Sequence, residues 1–224
     1  MAKHYNYLKM TRAHSRSEVL RKISELNLST VKNADFMVEL TKANCLEVEK
    51  QIKKDPAYPP YIDATVNWYS QHNNGQFPQK DYDAVYAVIR IIDYIYSTQA
   101  SAKNPGAIEK MAKYISKTPS FWTRLSRGDP ALVDDLLSQQ KQNKKSKSLA
   151  SKVCKVFASV ILGNEDLYFV NDSVVRRALP FYAYQYLDEN HSFKEIDGMS
   201  YDQLHALLLR LQSKVNQSQA TPIT

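Results

Sequence analysis

The sequence is poor in the residues that mark several classes of protein. It has only two cysteines, Cys45 and Cys154. Two are too few for a disulfide framework or for the four-cysteine ligand set of an iron–sulfur cluster, and their positions do not form a metal-ligand pattern. We therefore expect each cysteine to be a small, buried, apolar residue in a reducing compartment.

Long apolar runs are also missing. No run approaches the ~18 residues needed to span a bilayer, and the first residues lack the apolar core of a signal peptide. We therefore expect a cytoplasmic protein without a membrane partner. The five histidines show neither metal-ligand spacing nor a triad with a nucleophile, so the sequence predicts no metal and no cofactor.

Glycine is scarce, with five residues in 224, and apolar residues recur at helical spacing along most of the chain. Both features predict an all-α fold, a two-lobed helical bundle. The helix that begins at Asp81 is apolar nearly all round and is expected to lie in the core. The loop from Ser101 to Gly106 is the best candidate for a boundary between lobes 1–100 and 101–212, with a tail over residues 213–224.

The chain carries more positive than negative charge. Thirty lysines and arginines against 23 aspartates and glutamates give a formal charge of +7, which fits a polyanion partner without proving it. Five of the lysines fall within residues 141–152, where like charges repel unless a polyanion compensates them. For any single lysine of this group, a solvated basic loop remains the simpler interpretation.

One lysine and one carboxylate occupy related positions in the chain. A basic, serine-rich turn leads into an apolar helix predicted to start at about Ser151, so Lys152 lies near a helix start. Asp172 stands where the next helix begins, and aspartate is a preferred N-cap. A deprotonated lysine can act as a nucleophile, and a carboxylate can stabilise positive charge that develops nearby. The alternative is a surface lysine and a simple helix cap.

These two segments, SLASK (residues 148–152) and VNDSVVR (residues 170–176), resemble the helix-hairpin-helix DNA glycosylases, the superfamily of endonuclease III and the 8-oxoguanine DNA glycosylases. In that family a glycine-containing hairpin presents a catalytic lysine, and a later segment presents a catalytic aspartate. Ser148 and Ala150 stand here in place of the hairpin glycines, so the loop is degenerate. The resemblance implies that Lys152 is the nucleophile and Asp172 the charge stabiliser.

The resemblance also implies a DNA surface and a base pocket between the lobes. Phosphate contacts would come from Lys144, Lys145, Lys147, Ser148, Ser151, Lys155, Arg176 and Arg177. The pocket for a flipped base would use Trp68, Tyr69, Phe121 and Trp122, although aromatic residues at helical spacing are more often core residues.

The function expected on this basis is that of a monomeric DNA glycosylase that removes a damaged or modified base, in repair or against modified phage DNA. It could act with lyase chemistry through a lysine Schiff base, or through a water molecule without it. The alternatives are a basic helical module that binds nucleic acid without chemistry and a basic helical interaction protein with no nucleic-acid role.

Overall fold

The computed structural model describes residues 40, 60–96, 98, 100–140 and 146–217. Every regular element among these residues is a helix, which confirms the all-α prediction. The α-helices are α1 (Pro60–Gln71), α2 (Tyr82–Ile95), α3 (Ala100–Lys103), α4 (Ala107–Lys117), α5 (Phe121–Ser126), α6 (Ala131–Ser138), α7 (Lys147–Val156), α8 (Ser173–Leu187), α9 (Phe193–Gly198) and α10 (Tyr201–Gln217). A π-helical segment, Phe157–Ile161, continues α7. None of the described helices is both long enough and apolar enough to cross a membrane.

The chain divides into two compact units. The central unit is Ala57–Asp172, and the terminal unit combines Met1–Pro56 with Ser173–Thr224. The loop that the sequence suggested as a boundary, residues 101–106, therefore lies inside the central unit. Asp172 is the last residue of the central unit, and α8 begins at the next residue.

Helix α2 organises the core of the central unit. The Asp81 carboxylate caps the helix by accepting hydrogen bonds from the backbone amides of Asp83 and Ala84, at 2.8 and 3.1 Å. Its buried face packs against α1, α4 and α7. That face consists of Ala84, Val85, Val88, Ile89, Ile92 and Asp93.

The expectation that α2 is apolar all round needs correction. Tyr82 is 39% exposed and Tyr94 is 85% exposed. A tyrosine carries a polar hydroxyl on an apolar ring, so it tolerates water on the outer face of a helix where isoleucine or valine would not. Helix α2 is therefore amphipathic, with its aliphatic residues inside and these tyrosines outside.

Helix α7 begins at Lys147, earlier than the predicted start at about Ser151. The Ser146 hydroxyl is the N-cap and accepts a hydrogen bond from the Leu149 amide at 3.1 Å. The buried Gln140 fixes this start, because its side-chain oxygen accepts a hydrogen bond from the Ser146 amide at 2.6 Å. The predicted burial of Cys154 on this helix is confirmed, and burial raises the pKa of its thiol. Cys45 lies outside the described residues.

The terminal unit has its own apolar cluster, formed by α8, α9 and α10. Its buried members are Leu179, Ala183, Ile196, Leu204, Leu207, Leu211 and Val215. Helix α10 continues to Gln217, past the predicted start of the tail at Ser213. Residues 218–224 lie outside the described part of the chain.

The capping bond of Ser146 gives a first prediction. Ser146→Ala should lower the free energy of unfolding by about 0.5–2 kcal/mol, because the Leu149 amide loses its side-chain acceptor. Ser148→Ala, within the first turn of the same helix, should change it by less than about 0.5 kcal/mol because alanine is a better helix former. Urea unfolding followed by circular dichroism measures both variants. Equal losses would contradict the assigned cap.

Candidate functional site

Lys152 and Asp172 form an ion pair in the central unit. The Lys152 Nζ lies 3.6 Å from the Asp172 Oδ2, and the two side chains are 10% and 23% exposed. The same Nζ lies 5.0 Å from the centre of the Tyr96 ring, which it faces as a cation over an aromatic face. The lysine is therefore largely buried, while the carboxylate is open to solvent at one edge.

The backbone next to each member of the pair is joined by a hydrogen bond. The amide of the buried Asn171 donates to the Ser151 Oγ at 2.8 Å. The Ser151 hydroxyl in turn donates to the Ser148 carbonyl at 3.2 Å. Ser151 precedes Lys152 and Asn171 precedes Asp172, so this bond holds the two charged residues side by side.

The loop that leads to Asp172 is fixed further upstream. The Tyr168 hydroxyl donates to the Asp129 carbonyl at 3.1 Å. Gly128 has a φ of +69°, and a Cβ at this position would approach Leu167 Cδ2 to 3.0 Å. Glycine at residue 128 therefore avoids both the strain of this backbone conformation and a tight contact with the Leu167 side chain.

The surroundings of Lys152 act on its charge in opposite directions. Burial alone would disfavour the charge, but the Asp172 carboxylate and the face of Tyr96 both attract a cation. The helix macrodipole contributes little, because its effect is confined to the first turn and Lys152 lies in the second turn of α7. The lysine can act as a nucleophile only after it transfers a proton.

The residues expected to contact phosphate have different surroundings. Lys144 and Lys145 lie outside the described residues. Lys147 and Ser148 are partly buried in the first turn of α7. Ser151 is fully buried, so its side chain has no surface to offer a phosphate, and its hydroxyl holds Asn171 instead. Lys155 donates to the Glu165 carbonyl.

The two arginines of this expected set lie in the terminal unit. The Arg176 Nε is 2.9 Å from the Asp197 Oδ1, so an acidic neighbour compensates its charge. The Arg177 guanidinium lies 5.1 Å from the centre of the Phe193 ring.

The four aromatic residues expected to form a base pocket do not share one environment. Phe121 is fully buried, and Trp122 is 8% exposed. The Trp122 ring stacks on Phe157 with centroids 5.4 Å apart and donates its Nε1–H to a backbone carbonyl. Trp68 is 54% exposed and meets Tyr69 edge-on at 4.8 Å. Phe121 and Trp122 are thus core residues, and only Trp68 and Tyr69 remain accessible.

A groove of about 790 Å³ lies between the end of α1, the following turn and the π-helical segment. Its lining includes Ser70, Phe77, Lys80 and Ile161, and neither Lys152 nor Asp172 belongs to it. Within the described part of the chain, no group of three or more histidine, cysteine, aspartate or glutamate side chains could hold a metal ion.

Sequence reasoning identified the two charged residues but missed their surroundings. Tyr96 lies just past the end of α2, far from Lys152 in sequence, and nothing in the spacing connects them. The contact between Ser151 and Asn171 was missed because Ser151 was assigned to the surface. Ser151 lies between Ala150 and Lys152 in the sequence, and neither neighbour marks it as buried.

The structure defines a protein that is helical throughout its described residues, with a largely buried lysine beside a partly exposed aspartate. Residues 44–160, just over half of the chain, match the model of the HI_0787_N family, which is described as an N-terminal domain. The chain therefore belongs to this family. No significant match to a curated protein or to a solved structure was found.

This match corrects the resemblance drawn from the sequence. The assignment to the helix-hairpin-helix glycosylase superfamily is wrong, because the matching family is a different one. The structure also differs from the expected hairpin, since Ser146 starts α7 and Lys152 lies in the second turn rather than at the start. Two short segments with a lysine and an aspartate at a similar separation were not specific enough to define the family.

The different surroundings of the aromatic residues give a second prediction. Phe121→Ala should lower the free energy of unfolding by about 3–5 kcal/mol, because it leaves a cavity in the core. Trp68→Ala, at an exposed position, should cost less than about 1 kcal/mol. Urea unfolding measures both variants, and a Phe121→Ala protein as stable as wild type would contradict the placement of Phe121.

The ion pair gives a third prediction. In a double-mutant cycle of Lys152→Met and Asp172→Asn, the coupling free energy should be about 1–3 kcal/mol, because each single change leaves a partly buried charge without its partner. The control cycle uses Arg210 and Glu189, an ion pair in which the Arg210 side chain is 56% exposed, and should give less than about 1 kcal/mol. Equal couplings would show that burial does not strengthen the Lys152 pair.

Proposed function

We propose that this protein cleaves the N-glycosidic bond of a damaged or modified base in DNA, with Lys152 and Asp172 acting together. The observation that supports this is the placement of a largely buried lysine beside a carboxylate that remains open to solvent. The proposal rests on the chemistry of this pair and on the basic charge of the chain, and it no longer depends on the glycosylase superfamily.

A sequence of reaction steps follows if Lys152 starts as an ammonium group and Asp172 as a carboxylate. As the bond from the sugar C1′ to the base breaks, its electron pair leaves with the base, and the Asp172 carboxylate stabilises the positive charge on the sugar. The Lys152 ammonium gives a proton to the departing base and becomes a neutral amine. The amine can then bond to C1′ and proceed to a Schiff base once the sugar ring opens. If a water molecule attacks instead, with Asp172 directing it, the product is an abasic site.

The setting proposed for this activity is the cytoplasm, with the protein acting as a monomer. Both repair of host DNA and action on modified phage DNA fit the same chemistry, because they differ only in the base that is removed. The identity of that base depends on the shape of the pocket that receives it.

A second candidate function is a nucleic-acid-binding module without chemistry. Two observations favour it. Lys152 is paired with Asp172 and faces the Tyr96 ring, and a lysine with a purely structural role would make the same contacts. Phe121 and Trp122 lie in the core and cannot receive a base there.

The fourth prediction is made for borohydride trapping on a panel of duplex and single-stranded DNA carrying different damaged or modified bases. Wild type should form a covalent protein–DNA band that Lys152→Gln abolishes, and Asp172→Asn should lower base release by at least about 100-fold. Lys113→Gln is the matched control, because it removes the same charge from an exposed position on α4 and should leave activity unchanged.

The other outcomes separate the candidates. Abasic sites without a trapped band, lost in Asp172→Asn, would indicate a water-using glycosylase. Salt-sensitive DNA binding without base release on any substrate, unchanged in Lys152→Gln, would favour the binding module and contradict the enzyme.

A further inference from the structure

A row of side chains on α2 recurs every fourth residue. Tyr82, Tyr86, Arg90 and Tyr94 follow one another along a row that winds slowly around the helix, each step advancing about 6 Å along the axis and turning about 40°. Arg90 is exposed, Tyr86 is partly buried, and Tyr94 is 85% exposed. We call this row the tyrosine ladder.

The rings of the ladder present aromatic surface to solvent. Tyr82 and Tyr86 stack nearly parallel, with centroids 5.8 Å apart and an angle of 19° between the rings. Tyr94 is the most exposed of the large apolar or aromatic residues in the described part of the chain. Exposed aromatic faces of this kind accept nucleic-acid bases in stacks, with little dependence on sequence.

The charge near the ladder differs between its Tyr82 end and Arg90. The pKa of Tyr82 is raised above its usual value, first by partial burial and then by the nearby Glu109 carboxylate. That end of the ladder therefore disfavours a phosphate. Arg90 supplies a cation between Tyr86 and Tyr94, and none of the described residues forms an ion pair with it. A phosphate is accordingly favoured at Arg90 rather than at Tyr82.

The C-terminal end of α2 borders the candidate active site. Tyr96, two residues beyond Tyr94, is the ring that the Lys152 ammonium faces at 5.0 Å. Both the ladder and the ion pair belong to the central unit. Tyr96 lies about 200° around the helix from Tyr94, so the ladder and the ion pair belong to different sides of α2.

We propose that the tyrosine ladder binds single-stranded nucleic acid, with its bases stacked on Tyr86 and Tyr94 and a phosphate on Arg90. The inference takes its partner from the proposed function but requires no chemistry at Lys152. It assigns the ladder a role that the buried aromatic residues of the core cannot fill, because only exposed rings can stack on bases.

The fifth prediction concerns binding of the full chain to fluorescein-labelled (dT)12, measured by fluorescence anisotropy at several salt concentrations. Tyr94→Ser should weaken binding about 5- to 100-fold through loss of one stacking platform, and Tyr94→Phe should restore it. Arg90→Gln should weaken binding, because one phosphate contact is lost. The slope of the logarithm of the binding constant against the logarithm of the salt concentration should become shallower by about one.

Two controls match these changes. Tyr61→Ser removes another exposed tyrosine, 64% exposed on α1 and outside the ladder, and should leave binding unchanged. Lys113→Gln removes an exposed positive charge from α4 and should not lower the salt dependence. Thermal unfolding verifies that every variant remains folded.

Several results would contradict the proposal that the tyrosine ladder binds single-stranded nucleic acid. These are wild type without affinity for (dT)12 at low salt, equal losses in Tyr94→Ser and Tyr61→Ser, or a wild-type dimer in sedimentation that Tyr94→Ser dissociates. Base release measured in parallel keeps the two proposals apart. If binding depends on the ladder and no base is released, only the proposed binding role of the ladder is supported. If base release is lost in Lys152→Gln but unchanged in the ladder variants, only the proposed enzymatic function is supported.

Discussion

The constraint on which the site depends is the burial of a charged lysine. An ammonium group taken from water into a protein interior is costly unless a carboxylate or other partners compensate it. At Lys152 the compensation comes from Asp172 and from the face of Tyr96, which reach it from two different segments of the central unit. The positions of these segments are therefore tied to one another through a single charge.

The backbone of the loop before Asp172 is held by contacts of its own, in addition to the ion pair. Asn171 is hydrogen-bonded to Ser151, Tyr168 to the Asp129 carbonyl, and Leu167 packs where Gly128 leaves room. The carboxylate is thus presented by a loop that is held at several points. Preorganisation of this kind is what catalysis by charge stabilisation requires, because the groups need not reorient during the reaction.

Much of the fold could be predicted from the sequence, because helical periodicity and local caps are encoded by near neighbours. The start of α2 at Asp81 is an example. The start of α7 was misplaced because Ser146, Ser148 and Ser151 are all acceptable caps by residue type. The buried Gln140, which binds Ser146, settles the choice, and this is a tertiary contact that no local pattern contains.

Aromatic residues set the second limit on prediction. Trp122 and Tyr94 both occupy helical positions, yet one is buried against Phe157 and the other is almost fully exposed. Periodicity treats both as apolar, whereas a tyrosine ring can face either core or water. The expected base pocket and the expected apolar face of α2 both departed from the structure for this reason.

The family match bears on how the site is assembled. It ends at residue 160, so it includes Lys152, Tyr96 and the whole tyrosine ladder but not Asp172. The matched domain therefore contributes the lysine and its aromatic neighbour, and the segment that follows contributes the carboxylate. The proposed chemistry is for that reason a property of the domain together with its continuation.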